Sequence, residues 1–226
     1  MGVGDAARTD RRPGDLVDPT LALELTTRAP YVSRGGEKLA GALDTFGVDP
    51  SGRVCLDVGA STGGFTDCLL ARGASRVYAL DVGRGQLADT LRSDPRVVSL
   101  ERTHAARLDR EARDPVTLPE RVALAVVDVS FISLTRVLGP IASAIVPGGH
   151  IVALVKPQFE LSPRDVPKGV VRDPDARAAA VARVRDHALD LGLDVVGEVE
   201  SPLVGPSGNH EFFLHLRLPA RGAPAP

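Results

Sequence analysis

The chain contains few lysines, two cysteines and no tryptophan. Of its 226 residues, 27 are lysine or arginine, yet lysine stands only at Lys38, Lys156 and Lys168. Cys55 and Cys68 lie in apolar segments without CxxC or other metal-ligand spacing. They therefore predict small buried side chains rather than a disulfide framework or a metal site.

Long hydrophobic runs and a strong excess of one charge are also absent. No apolar run is long enough to span a bilayer, and the first residues, MGVGDAARTDRRPGD, lack the apolar core of a signal peptide. A formal net charge of −2 excludes a generally basic nucleic-acid-binding protein, so any RNA surface must be a local patch. We expect a cytoplasmic protein without a membrane partner or a metal.

Short β-branched runs alternate with longer helix-like segments along most of the chain. The runs are RVCLDVG, RVYALDVG, RVVSLE, VALAVVDVS, HIVALVKP, LDVVGEVES and EFFLHLRL. This alternation predicts an α/β fold in which a seven-stranded, mostly parallel sheet carries helices on both faces. Because a Gly/Pro-rich turn joins the last two runs, we expect an antiparallel edge strand.

Four segments have apolar residues at the three- and four-residue spacing of helices. They are GFTDCLLARG, GQLADTLRSD, LTRVLGPIASAIVPGG and DPDARAAAVARVRDHALDLG. We expect one folded domain over residues 31–218. An N-terminal arm over residues 1–30, with one apolar patch (LVDPTLALEL), precedes it, and a disordered tail over residues 219–226 follows it.

The first strand runs into the glycine-rich turn LDVGASTGGFTD. Glycines let the backbone approach a ligand closely, and the helix that follows offers unpaired amides. Phe65 stands where a Walker loop has lysine, and the spacing departs from GxGxxG. A dinucleotide is therefore the weaker prediction. Asp57 and Gly59 form an acid-x-G loop, and Asp81 ends the second strand, which suits S-adenosylmethionine equally well.

Polar residues also follow later strands. Thr103 and His104 follow the third strand, where an adenine lies in such folds, although His104 could equally be a surface histidine. Asp128 ends the fourth strand and Lys156 the fifth. Both therefore point at the cleft, since ligands bind at the carboxyl ends of strands in open α/β sheets.

Because lysine is scarce, its three positions are candidates for a function that arginine cannot perform. Lysine can act as a base when its pKa is lowered, whereas arginine stays protonated. Lys156 therefore predicts proton-transfer chemistry. Lys168, in the loop RDVPKGVVRDP, is either retained by chance or contacts substrate. The pattern around Glu211 alone favours a solvated strand start over a cleft acid.

Eight strings together resemble one family. They are YVSRGGEKL, LDVGASTGGFTD, YALDVGRGQL, DPRVVSLERT, DVSFISL, VKPQFE, KGVVRDP and GNHEFF, in this order. They are similar to the TlyA (haemolysin A) branch of the FtsJ/RrmJ-like methyltransferases, over roughly Tyr31 to Leu218. The resemblance implies a Rossmann-like class I fold that uses S-adenosylmethionine, releases S-adenosylhomocysteine and methylates ribose 2′-hydroxyls of rRNA. Members usually carry an S4-type RNA-binding domain before YVSRGG, and we expect none in residues 1–30.

The resemblance also implies roles for individual residues. The catalytic tetrad of the family corresponds to Lys38, Asp128, Lys156 and Glu211. Cofactor binding is implied for Asp57, Gly59, Ser61, Thr62, Gly63, Gly64, Phe65, Asp81, Val82, Thr103, His104 and Asp128. The loop from Gly59 to Phe65 would hold the methionine part, Asp81 the ribose and the Thr103 region the adenine. His104 stands where the branch commonly has asparagine.

The acceptor stays open between two classes. The leading hypothesis is rRNA or a ribosomal subunit, methylated at a ribose 2′-hydroxyl. The alternative is a small molecule, such as a nucleoside or an aromatic secondary metabolite, methylated at O, N or C. A silent RNA-binding or assembly factor would not explain an intact tetrad, and no basic amphipathic helix supports a membrane-active protein.

Overall fold

The computed structural model describes residues 29–109, 112–205 and 207–220. The predicted apolar patch LVDPTLALEL and residues 221–226 of the predicted tail lie outside these ranges. Within the described residues, no helix is long and apolar enough to cross a membrane. Cys55 and Cys68 are free and buried, which confirms their predicted character.

Seven strands form one sheet, as predicted. They are β1 (Val54–Val58), β2 (Arg76–Leu80), β3 (Val97–Leu100), β4 (Val122–Val127), β5 (Ile145–Val155), β6 (Asp194–Glu200) and β7 (Phe212–Arg217). Their order is β3-β2-β1-β4-β5-β7-β6. The chain moves outward from β1 to β3 and then crosses to β4 on the other side of β1. A cleft for ligands is expected at such a switch point.

The antiparallel strand lies one position inside the edge. β7 is antiparallel to β5 on one side and to β6 on the other, and β6 forms the edge of the sheet. The predicted pair of antiparallel strands is therefore present, but its second strand inserts between the first and β5. In this register Phe212, the first residue of β7, pairs with Val155, the last residue of β5.

Six α-helices cover the two faces of the sheet in the described residues. They are α1 (Gly35–Phe46), α2 (Gly64–Ala71), α3 (Asp89–Arg92), α4 (Leu138–Ser143), α5 (Pro157–Glu160) and α6 (Pro174–Asp190). Helix α1 is not among the predicted helices, although Leu39, Ala42, Leu43 and Phe46 have helical spacing and the first three are buried.

Two predicted helices are shorter than expected. Only Asp89–Arg92 of GQLADTLRSD is α-helical. The segment LTRVLGPIASAIVPGG divides into a 3-10 turn (Leu134–Arg136), α4 and the start of β5. The prediction of helix beyond Ser143 is wrong because Ile145 already pairs with Val122 of β4.

Each face of the sheet has its own apolar core. One core packs under α4 and α6 and includes Leu138, Ile141, Val181 and Val184. The other packs under α1 and α2 and includes residues such as Leu39. Both faces are buried, which explains why the central parallel strands read as continuous apolar runs rather than alternating ones.

Candidate active site

Two ion pairs lie side by side in a cleft of about 290 Å³ at the carboxyl ends of β4 and β5. Lys156 Nζ lies 2.5 Å from Asp128 Oδ1, and Lys38 Nζ lies 2.5 Å from Glu211 Oε2. The second pair is the more buried, with Lys38 7% and Glu211 2% exposed. All four residues of the predicted tetrad therefore line one cleft.

Glu211 reaches the cleft because of the strand register. It directly precedes Phe212, and Phe212 pairs with Val155 at the end of β5, next to Lys156. The expectation of a solvated strand start, drawn from the sequence pattern around Glu211, is therefore wrong. The Gly/Pro loop instead folds against the carboxylate: a Cβ added to Gly205 would lie 2.5 Å from Glu211 Oε1.

Helix α1 brings Lys38 to the cleft from the opposite side. Its first turn crosses the start of α2 closely, because a Cβ added to Gly64 would lie 2.1 Å from Ser33 Oγ and 3.0 Å from the Gly36 nitrogen. The close approach requires glycine at position 64. It places Lys38, in the first turn of α1, opposite Glu211.

The glycine loop after β1 forms the floor of the cleft. Gly59 has a φ of +85°, and a Cβ there would lie 2.4 Å from the Asp128 carbonyl oxygen. Gly59, Ser61, Thr62, Gly64 and Phe65 line the cleft. Gly63, with a φ of +98°, directly precedes α2, and a Cβ there would clash with the side chains of Leu87 and Leu91.

A second cavity, of about 540 Å³, adjoins the cleft and shares Gly59, Ser61 and Asp128 with it. Its other lining residues include the predicted Asp81, Val82, Thr103 and His104. The Asp81 carboxylate accepts hydrogen bonds from the Ser61 nitrogen (2.8 Å) and the Gly83 nitrogen (2.6 Å). It thereby joins the loops that follow β1 and β2.

Thr103 and His104 form one wall of this second cavity. Thr103 is buried, and its hydroxyl donates to the Glu101 carbonyl oxygen. His104 Nδ1 accepts from the Ala106 nitrogen at 3.1 Å and so caps the 3-10 turn Ala105–Leu108. In the neutral imidazole, the remaining proton is therefore on Nε2.

The two cavities also contain residues to which the sequence analysis assigned no catalytic or cofactor-binding role. Ser33 and Arg34 line the cleft, and Phe131 lines the second cavity. Ser130 lines the second cavity and accepts a hydrogen bond from Lys156 Nζ at 3.0 Å. All four lie inside the quoted strings YVSRGGEKL and DVSFISL, but nothing in their local pattern separates them from loop residues.

The remaining predictions concerned Lys168, which was either retained by chance or in contact with substrate, and the absence of a metal site. Lys168 is exposed in a 3-10 turn, Pro167–Gly169, with a φ of +56°. No cluster of three or more His, Cys, Asp or Glu side chains that could hold a metal occurs in the part of the chain that the structure describes.

The model of the family described as "FtsJ-like methyltransferase" matches residues 31–218. This chain belongs to that family. A 16S/23S rRNA (cytidine-2′-O)-methyltransferase TlyA of Mycobacterium tuberculosis is 52% identical over 209 residues, which cover 91% of this chain and 76% of the relative. A 23S rRNA (cytidine-2′-O)-methyltransferase TlyA of Campylobacter jejuni is 35% identical over 210 residues, covering 91% and 78%.

Solved structures support the same family. A hemolysin candidate from Lactococcus lactis superposes with a TM-score of 0.79 at 43% identity, over 84% of this chain and 89% of the other.

Asp57, a predicted cofactor residue of this FtsJ-like chain, lies beneath the glycine loop and is fully buried. Its Oδ2 accepts from the Thr66 hydroxyl at 2.7 Å, whereas Oδ1 is a buried oxygen without a hydrogen-bond partner. Burial raises the pKa of Asp57 to about 7, although the bond from Thr66 opposes the shift. The nearby Asp128 and Asp81 carboxylates raise this pKa further.

Asp57→Asn is expected to stabilise the protein more at pH 8 than at pH 5. The unfolded carboxyl loses its proton near pH 4, while the folded one keeps it to about pH 7. The wild-type unfolding free energy therefore falls as pH rises through this window, whereas asparagine does not titrate. Its amide can donate to the Thr66 hydroxyl. Urea unfolding should show a gain on the order of 2–4 kcal/mol at pH 8.

Asp190→Asn, at the exposed end of α6, is the matched control. It should change the unfolding free energy by the same small amount at pH 5 and pH 8. If Asp57→Asn were instead destabilised equally at both values, the buried carboxylate would be ionised and stabilising in the folded protein.

Proposed function

We propose that this protein transfers a methyl group from S-adenosylmethionine to a ribose 2′-hydroxyl of rRNA, within a catalytic domain that spans residues 31–218. The observation that carries the proposal is the pairing of Lys156 with Asp128 in a cleft that opens into the second cavity at Asp128. Lys156, the proposed proton acceptor, would therefore lie at the junction of the donor site and the acceptor site.

The second cavity fits the donor. Its volume of about 540 Å³ is within the range of about 300–1,000 Å³ that is usual for small-molecule sites. Gly59 has no side chain to cover the backbone of the glycine loop after β1, and a Cβ there would clash with Asp128. Helix α2 begins at Gly64, within the same glycine-rich segment. We assign the methionine part to the loop from Gly59 to Phe65, the ribose to Asp81, and the adenine to Val82, Thr103 and His104.

When bound, S-adenosylmethionine supplies an electrophilic methyl group on a positively charged sulfur. A ribose hydroxyl is a weak nucleophile at neutral pH, so a general base and tight positioning accelerate its attack. Lys156, in its neutral form, would accept the hydroxyl proton. Asp128 and Ser130 orient the Lys156 amine, since both contact Nζ. Lys38 and Glu211 form the opposite wall and position the acceptor.

The cleft suits an acceptor that carries phosphate. Arg34 is exposed and lines the cleft that holds the tetrad. Arginine contacts to phosphates commonly fix the register of a nucleic acid on a protein. Together with two relatives named as rRNA cytidine-2′-O-methyltransferases, this favours a cytidine of rRNA as the acceptor and the cytoplasm, where ribosomal subunits are found, as the location.

The proposal is tested by methyl transfer from labelled S-adenosylmethionine to purified 30S and 50S subunits. Separated subunits are needed because one relative is named for both rRNAs and the other for 23S rRNA alone. The rRNA is digested to nucleosides, and we expect the label in 2′-O-methylcytidine. A parallel reaction uses a small-molecule extract in place of the subunits.

Label confined to the extract would contradict the rRNA proposal and establish a small-molecule methyltransferase on the same domain. Label in a methylated base, rather than in ribose, would overturn the assignment of the 2′-hydroxyl. Asp128→Asn is the matched negative variant, because it removes the charge that contacts Lys156 Nζ while preserving the side-chain shape.

A further inference from the structure

Glu160 is a buried carboxylate that no step proposed above uses. It is 2% exposed and ends α5, the single helical turn that begins directly after Lys156. Its Oε1 accepts from the Leu134 nitrogen at 2.8 Å, and its Oε2 accepts from the Ser133 hydroxyl at 2.5 Å. A charged group buried this deeply is retained at a cost unless such donors compensate it.

The partners of Glu160 belong to the segment that starts at Asp128. Lys156, before the first residue of α5, contacts Asp128 and Ser130. Glu160, at the last residue of α5, contacts Ser133 and Leu134. Lys156 and the helical turn that follows it therefore hold both ends of residues 128–134. Residues 128–132 of this span line the second cavity, and Asp128 also lines the cleft.

Between these two attachments the backbone is strained. Phe131 has a φ of +64°, in the left-handed region, and its side chain is 90% exposed. For a bulky residue this conformation is unfavourable and persists only where the surroundings impose it. Burial does not supply the constraint here, because the ring is mostly exposed. Its centroid lies 5.1 Å from that of Phe159, a residue of α5.

The body of the protein fixes α5 in turn. Arg183 Nη1 of α6 donates to the Glu160 carbonyl oxygen at 2.7 Å. Helix α6 contributes Val181 and Val184 to the core. Glu160 thus connects residues 133 and 134 to α6, a helix that packs in the core. The contacts of Lys156 with Asp128 and Ser130 are different, because the Lys156 amine changes its protonation in the proposed reaction.

We propose that Glu160 is a positioning residue for methyl transfer: it holds residues 128–134 in the strained conformation that preforms the wall of the donor cavity and aims Asp128 at Lys156. The expected effect on kcat rests on the proposed function. The expected effect on S-adenosylhomocysteine binding depends only on the shape of the second cavity.

The test compares Glu160→Ala, Glu160→Gln and Leu193→Ala in the full chain. Alanine leaves the Leu134 nitrogen without its buried partner. Glutamine can still accept from Leu134 and can donate to the Ser133 hydroxyl, which then turns to Thr135 Oγ1, 2.7 Å away. Leu193 is buried just before β6, at the end of the sheet away from the cleft, and its truncation should lower stability without removing a hydrogen bond to residues 128–134.

Two constants are measured beside the melting temperature: the Kd for S-adenosylhomocysteine by calorimetry and kcat on ribosomal subunits. We expect Glu160→Ala to weaken S-adenosylhomocysteine binding about 10-fold and to lower kcat by about 10- to 100-fold. Glu160→Gln should restore both to within about 3-fold of wild type. Leu193→Ala should lower the melting temperature while leaving both constants near wild type.

The inference is overturned if Glu160→Ala matches Leu193→Ala in both constants, or if glutamine is as damaging as alanine. Binding of S-adenosylhomocysteine needs no acceptor, so it tests the inference even if wild type methylated neither subunit. A wild type that methylated neither subunit would count against the proposed function alone.

Discussion

Lys156→Arg is expected to reduce methyl transfer at least about 1,000-fold while changing the affinity for S-adenosylhomocysteine by less than about 3-fold. Arginine keeps the positive charge beside Asp128, 2.5 Å from Nζ in wild type, but it cannot release a proton at neutral pH. The substitution thus separates proton acceptance from charge. Label incorporation at saturating donor gives kcat, and calorimetry gives the affinity.

Lys168→Arg makes the same chemical change at an exposed loop position and should leave kcat within about 2-fold of wild type. Lys156→Ala should be as inactive as Lys156→Arg, again with donor affinity retained. More than a tenth of wild-type activity in Lys156→Arg would make the lysine an electrostatic or positioning group rather than the base. Loss of donor affinity together with turnover would also refute the assignment.

Removing either partner of the Lys38–Glu211 pair is expected to destabilise the protein by about 3–5 kcal/mol. Each single alanine variant leaves an opposite charge buried without its 2.5 Å partner. Replacing both residues at once, as Lys38→Met/Glu211→Leu, removes both charges at similar volume and should restore most of the stability. The double variant should still be inactive, since the pair forms one wall of the acceptor cleft.

Urea unfolding of the wild type, Lys38→Met, Glu211→Leu and the Lys38→Met/Glu211→Leu double variant forms a cycle that gives the coupling energy directly. The surface pair Arg217–Asp194, about half exposed on both sides, is the matched control and should cost at most about 1 kcal/mol when Arg217 is replaced by alanine. If the single variants at Lys38 and Glu211 cost no more than this control, the tetrad pair is effectively solvated.

Local patterns predicted much of what surrounds the site. Apolar runs ending in Asp81, Asp128 and Lys156 indicated strands, and the carboxyl ends of parallel strands meet at one edge, so these side chains converge as expected. The glycine turn after β1 could also be predicted from the sequence, because a positive φ at Gly59 depends on only a few adjacent residues. Helix α1 was not predicted although its apolar residues have helical spacing, because it begins with two adjacent glycines, which disfavour helix in an isolated segment.

By itself, the sequence determined the alternation of strands and helices, the glycine loop and the charged residues at the ends of the parallel strands. These depend on periodicity and turn chemistry over a few neighbouring residues. Only the tertiary structure decided that Glu211 is buried, that it meets Lys38 across 173 residues, and that Glu160 holds the segment after β4. Such contacts depend on the register of β7 beside β5 and on where each helix begins, which packing of distant segments fixes and no local pattern contains.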